Sequence, residues 1–192
     1  MDRVNEGKPL RSRCGSPQKA GGFTMVELMI TVAILAILVA LAVPSFTSMI
    51  NSSRLAAQAN ELVASLQLAR GEAVRRNARV TVCRSTDGTN CIVGTGQGSW
   101  LTFADANGNG TAQPGEVLRL SIIKAPVTVR NTVARVTFRP DGRARAVGGA
   151  LENTTFTVCI PTTRPVDNQR LVEFGGGSRI STRQFNGAGV CP

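Results

Sequence analysis

The most constraining feature of this chain is an apolar run from Leu28 to Val43, interrupted only by Thr31 and stopped by Pro44. With Phe23 to Val26 it reaches the ~20 apolar residues that a helix needs to cross a bilayer, so it reads as a membrane span. Glu27 stands near its start. An unpaired carboxylate at bilayer depth costs on the order of 2.5 kcal/mol or more, so Glu27 needs a partner, and the natural one is a neighbouring subunit. Ahead of the run, residues 1–22 carry Arg3, Lys8, Arg11, Arg13 and Lys19 against Asp2 and Glu6, which puts them on the cytoplasmic side by the positive-inside rule. This stretch has no apolar region of its own, and no small-x-small site follows the run, so it is not an ordinary secretory signal peptide.

The junction Gly22-Phe23-Thr24-Met25-Val26-Glu27 resembles the class III signal of type IV pilins and type II secretion pseudopilins. That resemblance implies cleavage after Gly22 by a prepilin peptidase and N-methylation of Phe23. Of the 192 residues, 170 then remain. It further implies that Glu27 neutralises the amino terminus of a neighbouring subunit, and that Pro44 is the helix-breaking proline pilins often carry there.

Beyond Pro44 the helix should continue. Between Ser45 and Arg79, Leu55, Ala59, Leu62, Leu66, Ala69 and Ala73 recur at steps of three and four and draw an apolar stripe. Arg54, Gln58, Glu61, Gln67, Arg70 and Arg75 lie largely off it. The first half of such a helix faces lipid or the interior of a filament and the second half packs on a domain, with a kink or weakened ladder at Pro44.

Downstream the period becomes alternating. Strands are predicted over 78–84, 99–104, 116–121, 126–130, 135–138, 154–159 and 169–174, each rich in β-branched or aromatic residues and bounded by Gly, Pro, Asn or Asp. Residues 94–98 and 175–178 read as loops. One long helix followed by strands gives an α+β fold, a long N-terminal helix packed on an antiparallel β-domain. The predicted divisions are a leader at 1–22, the membrane and filament-core half of the helix at 23–50, and a globular domain at 51–192.

The order of the pieces is similar to the GspH/FimT family of minor pilins and pseudopilins. The carrying segments are 66–77 (Leu-Gln-Leu-Ala-Arg-Gly-Glu-Ala-Val-Arg-Arg-Asn), 80–83 (Val-Thr-Val-Cys), 100–110 (Trp-Leu-Thr-Phe-Ala-Asp-Ala-Asn-Gly-Asn-Gly), 136–144 (Val-Thr-Phe-Arg-Pro-Asp-Gly-Arg-Ala) and a closing Cys. Cys14 leaves with the leader, and an even number on the exported side favours disulfides among Cys83, Cys91, Cys159 and Cys191. Three pairings are open. Cys83 with Cys91 and Cys159 with Cys191 is preferred: the first closes a short loop, and the second makes the tail closure that is a habit of pilins. Zinc is the competing use, but the chain has no Cys-x-x-Cys and no His.

The chain has net charge +10. Without the leader's five basic and two acidic residues, seventeen against ten remain, or +7, and all the basic ones are Arg except Lys124. Guanidinium pairs bidentately with phosphate and carboxylate, so anionic partners are expected. Arg143 and Arg145, in Arg139-Pro140-Asp141-Gly142-Arg143-Ala144-Arg145, form one cluster. Arg164, Arg170, Arg179 and Arg183 form a second. FimT-type pilins that capture DNA are similar in carrying Gly-Arg-x-Arg near the C-terminus. Here Gly142-Arg143-Ala144-Arg145 spells the motif but precedes Cys159, while the corresponding stretch, residues 177–181, keeps Arg179 and has Ser181 for the other Arg. With little aromatic surface, DNA binding would be weak and without sequence preference.

Asp105-Ala106-Asn107-Gly108-Asn109-Gly110, ending in Glu116, has the spacing of a calcium loop, although strands rather than helices flank it; a Gly-rich hairpin loop explains the same letters. No metal or cofactor is expected. The chain lacks His and Tyr and has no recognisable nucleophile setting, so no enzymatic activity is expected. The reading is a minor pilin of a type IV pilus, in the inner membrane with its C-terminal domain in the periplasm before assembly with other pilins. The alternative is a pseudopilin of a type II secretion system.

Overall fold

The computed structural model describes residues 22–145, 150–175 and 179–192, in two compact units, one ending at Ala40 and the other spanning Leu41–Pro192. The expected leader therefore lies outside the described residues except for Gly22, as do residues 176–178 of the expected loop. Helix α1, Met25–Arg76, contributes to both units and contains Pro44. Proline supplies no N–H, so the Ala40 carbonyl lacks its helical donor. The helix ends at Arg76 rather than Arg79. Asn77 takes a left-handed φ of 51°, its N–H donates to Val74, and that of Ala78 donates to Ala73, the Schellman termination.

In the second unit the stripe is buried as read: Leu55, Ala59, Leu62, Leu66, Ala69 and Ala73 are all at most 1% exposed. Gln58, expected off the stripe, is buried as well, together with Asn51 and Ser65. The same face therefore carries polar groups. Ser65 donates to the Glu61 carbonyl, and Asn51 donates to the Arg164 carbonyl.

Nine strands follow: β1 Val80–Ser85, β2 Gly94–Gly96, β3 Gly98–Ala104, β4 Val117–Ile123, β5 Thr128–Asn131, β6 Val136–Phe138, β7 Thr154–Cys159, β8 Gln169–Gly175 and β9 Arg179–Phe185. They form two antiparallel sheets, ordered β4-β3-β1-β6 and β2-β5-β7-β8-β9. β2 occupies part of the expected loop over 94–98, and β9 had no counterpart in the sequence reading. β2 is three residues of Gly-Thr-Gly held by pairing to β5. β9 is almost wholly exposed, so no alternation marks it; its pairing along the full length of β8 makes it a strand.

The helix stripe shares one core with residues from both sheets, including Val80, Val82, Val129, Val136, Val158 and Val172. Two edge-to-face ring pairs bridge the sheets, Trp100 with Phe156 and Phe138 with Phe174, each with centroids 5.6 Å apart, an arrangement favoured by the ring quadrupoles. β1 is buried along its whole length. Its outer face packs in a second, smaller core of Cys83, Leu101, Phe103 and Ala112, with Cys91 against it. Loops 86–93 and 105–116 fold over that face, and Ala112 N–H donates to the Thr89 carbonyl between them.

Candidate functional site

The N-terminal half of α1 presents the chemistry of the Gly22 to Pro44 segment. Phe23 and the large apolar residues of α1 up to Ile50, among them Met25, Leu28, Ile34 and Leu41, are exposed, and the helix is long and apolar enough to cross a membrane. Thr24 starts it. Its hydroxyl accepts the Glu27 N–H at 3.2 Å, and its carbonyl accepts the Leu28 N–H. Thr-x-x-Glu is the capping-box pattern, a signal the sequence reading passed over when it took the acid at Glu27 for assembly alone. In the first turn a carboxylate also meets the positive end of the helix dipole. Glu27 has no ion pair among the described residues.

In the second unit the two expected Arg clusters are placed differently from expectation. Residues 139–143 form a tight turn: Arg139 N–H donates to the Arg143 carbonyl, Gly142 N–H to the Arg139 carbonyl, and Arg143 N–H to Asp141 Oδ1. In place of the expected outgoing strand, the described residues after the turn make isolated bridges. Ala144 bridges to Phe138 and is buried, and Arg145 bridges to Leu151. Arg143 is exposed, whereas Arg145 is half-buried and 3.6 Å from Asp141 Oδ2. The second cluster does not hold together, because Arg170 is 5% exposed. Its guanidinium donates to the carbonyls of Asp167 and Gln169 and to Ser52 Oγ. Burial pulls its pKa below the ordinary arginine value. Arg170 thus ties β8 to α1. Arg183 pairs with Glu173 and lies over the Phe185 ring; Arg164 and Arg179 are exposed.

What the fold brings together is a third group. Arg79, Arg135, Arg139 and Arg145, with Asp105, Gly108, Thr137 and Glu152, line a cavity of about 780 Å³. No sequence window holds them, since they come from the segment before β1, the loop after β3, both ends of β6 and the strand-like passage through Arg145. Two of the guanidinium groups rest on the expected calcium loop, Arg135 donating to the Gly110 carbonyl and Arg79 lying beside Gly108. Gly110 has a φ of 75°, and a Cβ there would collide with the Arg135 guanidinium.

The loop's oxygens are turned inward. Asp105 Oδ2 accepts the Gly110 N–H, Asn107 Oδ1 that of Asn109, Asn109 Oδ1 that of Thr111, and Glu116 Oε2 that of Gln113. The loop joins β3 to β4 as a hairpin connection with two guanidinium groups beside it, and among the described residues no group of three or more His, Cys, Asp or Glu is arranged to hold a metal.

The structure joins Cys83 to Cys91 and Cys159 to Cys191. The tail is also held by Asn168, whose side chain donates to the carbonyls of Ile160 and Val190 and accepts the Gly187 N–H. A Cβ on Gly187 would collide with the Gln169 amide. At the other disulfide, Asp87 accepts from Ser85 Oγ and from the N–H groups of Thr89 and Asn90. These bonds hold its carboxyl well below the usual range, the Asn90 amide being the largest cause.

Compared with known proteins, residues 58–177 match the family described as Type II transport protein GspH. The chain belongs to that family. Residues 17–43 match the prokaryotic N-terminal methylation motif. The pilin-like protein PilA1 of Thermus thermophilus is 36% identical over 97 residues, which are 50% of this chain and 54% of that protein, so the chain spans about half the length of the curated relative it matches. Among solved structures, the type IV minor pilin FimU of Pseudomonas aeruginosa is similar with a TM-score of 0.51 at 23% identity, over 69% of this chain and 90% of FimU. The minor pseudopilin EpsH of the Vibrio cholerae type 2 secretion system aligns over 69% of this chain and 97% of its own, with a TM-score of 0.47 and 12% identity. A long N-terminal helix on antiparallel sheets is the type IV pilin fold. The chain thus joins a GspH-family domain of pilin fold to an N-terminal segment that carries the methylation motif.

Proposed function

We propose that the chain is made as a precursor, cleaved after Gly22 and methylated on Phe23 by a prepilin peptidase, and built into a type IV pilus as a minor subunit. Residues 23–50 sit in inner-membrane lipid before assembly and in the filament core after it, and residues 51–192 form the domain on the periplasmic side. The observation that carries this reading is Glu27: a carboxylate with no ion pair among the described residues, on an apolar helix whose large apolar side chains are exposed as far as Ile50, inside the methylation motif. Desolvating it alone is costly, and a new amino terminus from an adjoining subunit is a cation of the right sign. Pro44 offers the Ala40 carbonyl no N–H, a place where the helix can loosen on assembly. Co-production with a prepilin peptidase and mass mapping of the membrane fraction should find a methylated terminus at Phe23; retention of residues 1–22 overturns the reading. Glu27→Ala is expected to be processed normally yet absent from sheared filaments.

A second reading, the pseudopilin of a type II secretion machine, draws on the family's description as a type II transport protein. Deleting the gene in its own host separates them: loss of surface filaments supports the first, and retention of secreted enzymes in the periplasm supports the second. DNA capture is the finer part of the first reading and is supported by the exposed Arg143 in the Gly-Arg-x-Arg stretch and by the exposed Arg179. Each phosphate contact adds close to one unit of salt dependence. Gel shifts with the full chain in detergent should weaken for Arg143→Ala with Arg145→Ala, or for Arg179→Ala with Arg183→Ala. If neither pair matters, DNA capture falls and the filament reading stands.

A further inference from the structure

The cavity lined by Arg79, Arg135, Arg139 and Arg145 has a mixed character that the filament reading leaves unused. Arg79 and Arg139 are exposed, so they form its rim, whereas Asp105 and Glu152 are 4% and 8% exposed and form its inner wall. Asp105 gives one oxygen to the Gly110 N–H, and its other oxygen is buried with no hydrogen-bond donor among the described residues. Arg135 is positioned by its bond to the Gly110 carbonyl. Four guanidinium groups against two carboxylates leave the lining net positive, with acceptors placed deep.

We propose that this cavity receives an acidic peptide segment of another filament subunit, whose carboxylates meet the guanidinium groups of Arg79, Arg135 and Arg139 while its backbone N–H groups face the carboxylates of the inner wall. The identity of the occupant as a pilin-type subunit rests on the filament reading; the chemistry of the cavity does not. Nucleic acid is the other polyanion to weigh, and three observations disfavour it. A phosphodiester backbone brings acceptors only, so it leaves Asp105 and Glu152 facing negative charge. Among the described residues no aromatic ring lines the cavity, whereas sequence-tolerant grip on single strands depends on stacking. The basic groups also surround a recess rather than follow an extended stripe, which is the form of an electrostatic footprint for DNA. A second copy of this chain is disfavoured by charge, since the mature protein carries +7. Guanidinium forks match carboxylates bidentately, which gives the pairing direction as well as attraction.

The test uses the full chain in detergent micelles and a blocked, fluorescein-labelled hexapeptide of alternating Asp and Gly, with the Asn-Gly peptide as control, read by fluorescence anisotropy. The Asp peptide is expected to bind and the Asn peptide not to bind. Arg79→Gln with Arg139→Gln, two exposed positions whose loss leaves the core intact, should weaken binding at least fivefold. Arg164→Gln with Arg179→Gln removes the same charge elsewhere and should change it less than twofold. Equal weakening by both pairs means diffuse charge and overturns the proposal, as does displacement of the peptide by a twelve-nucleotide DNA strand or by inorganic phosphate at lower concentration than by unlabelled peptide. Trp100 fluorescence checks that each variant is folded. Because the assay needs neither processing nor assembly, its failure with a methylated Phe23 intact sinks only the cavity proposal, and a chain never cut at Gly22 sinks only the filament reading.

Discussion

Glu152 is a carboxylate whose burial works against the fold when it ionises. Desolvation pushes its carboxyl above the ordinary value of 4.5, offset in part by the Asn153 N–H. With the folded pKa raised, the stabilisation is fully present below the unfolded value and is lost as pH rises through the folded one. Glu152→Gln is therefore expected to melt higher than the parent at pH 7 and at the same temperature at pH 4, followed by fluorescence of the single tryptophan. Arg84 shows the opposite management of a buried charge. It is 4% exposed and donates to Asn131 Oδ1 and to the Gln97 carbonyl, while burial lowers its pKa from the arginine value. Asn131 in turn donates to the carbonyls of Ile92 and Val133. Arg84→Ala strands these acceptors and should cost about 2–4 kcal/mol in denaturant unfolding. Arg84 closes the predicted strand over 78–84, and nothing in its neighbours marks it as buried.

At the scale of elements, α1 is stabilised by its stripe and clamped at its side. Leu62 is fully buried, and Leu62→Ala should lower stability by about 2–5 kcal/mol, the cost of the lost transfer energy plus the cavity left behind. Glu61 accepts from Ser121 and Arg119 on β4. The Ser121 bond, then Arg119, hold its carboxyl below 4.5 against desolvation. Here the folded pKa is depressed, so the stabilisation is present above about pH 4.5 and disappears as pH falls through the folded value. Glu61→Gln should cost roughly 0.2–1 kcal/mol at pH 7 and progressively less as pH falls below about 4.5, an opposite slope from Glu152. The helix was legible because period 3.6 survives in Leu55, Ala59, Leu62 and Leu66. β9 was not, because an edge strand with almost every side chain exposed has no reason to alternate; its pairing with β8 is a property of the neighbour.

For the whole molecule, the C-terminal segment is a closure rather than a tail. The Cys159 to Cys191 bridge spans 32 residues, the side chain of Asn168 is fully buried beneath the segment, and Thr95 donates to the Pro192 carbonyl. Cys191→Ser, with Cys159→Ser to avoid a free thiol, should cost about 2–4 kcal/mol, read as a lowered denaturant midpoint. The shorter Cys83 to Cys91 bridge holds a loop over the outer core beside Leu101 and Phe103. That core explains why β1 and β3 are buried on both faces.

Sequence alone was enough for whatever is local or periodic: the membrane-length run with Glu27 inside it, the helix stripe, seven of the strands and the even set of cysteines. Each is written in neighbouring residues, where spacing translates directly into a face or a span. Only the tertiary structure decided which polar groups are buried and which cations meet. Arg170 reads as surface and is a clamp, Arg84 closes a predicted strand and is a buried hub, and Arg79, Arg135, Arg139 and Arg145 share a cavity although they are up to 66 positions apart. Long-range strand order sets those encounters, and no stretch of one strand contains it.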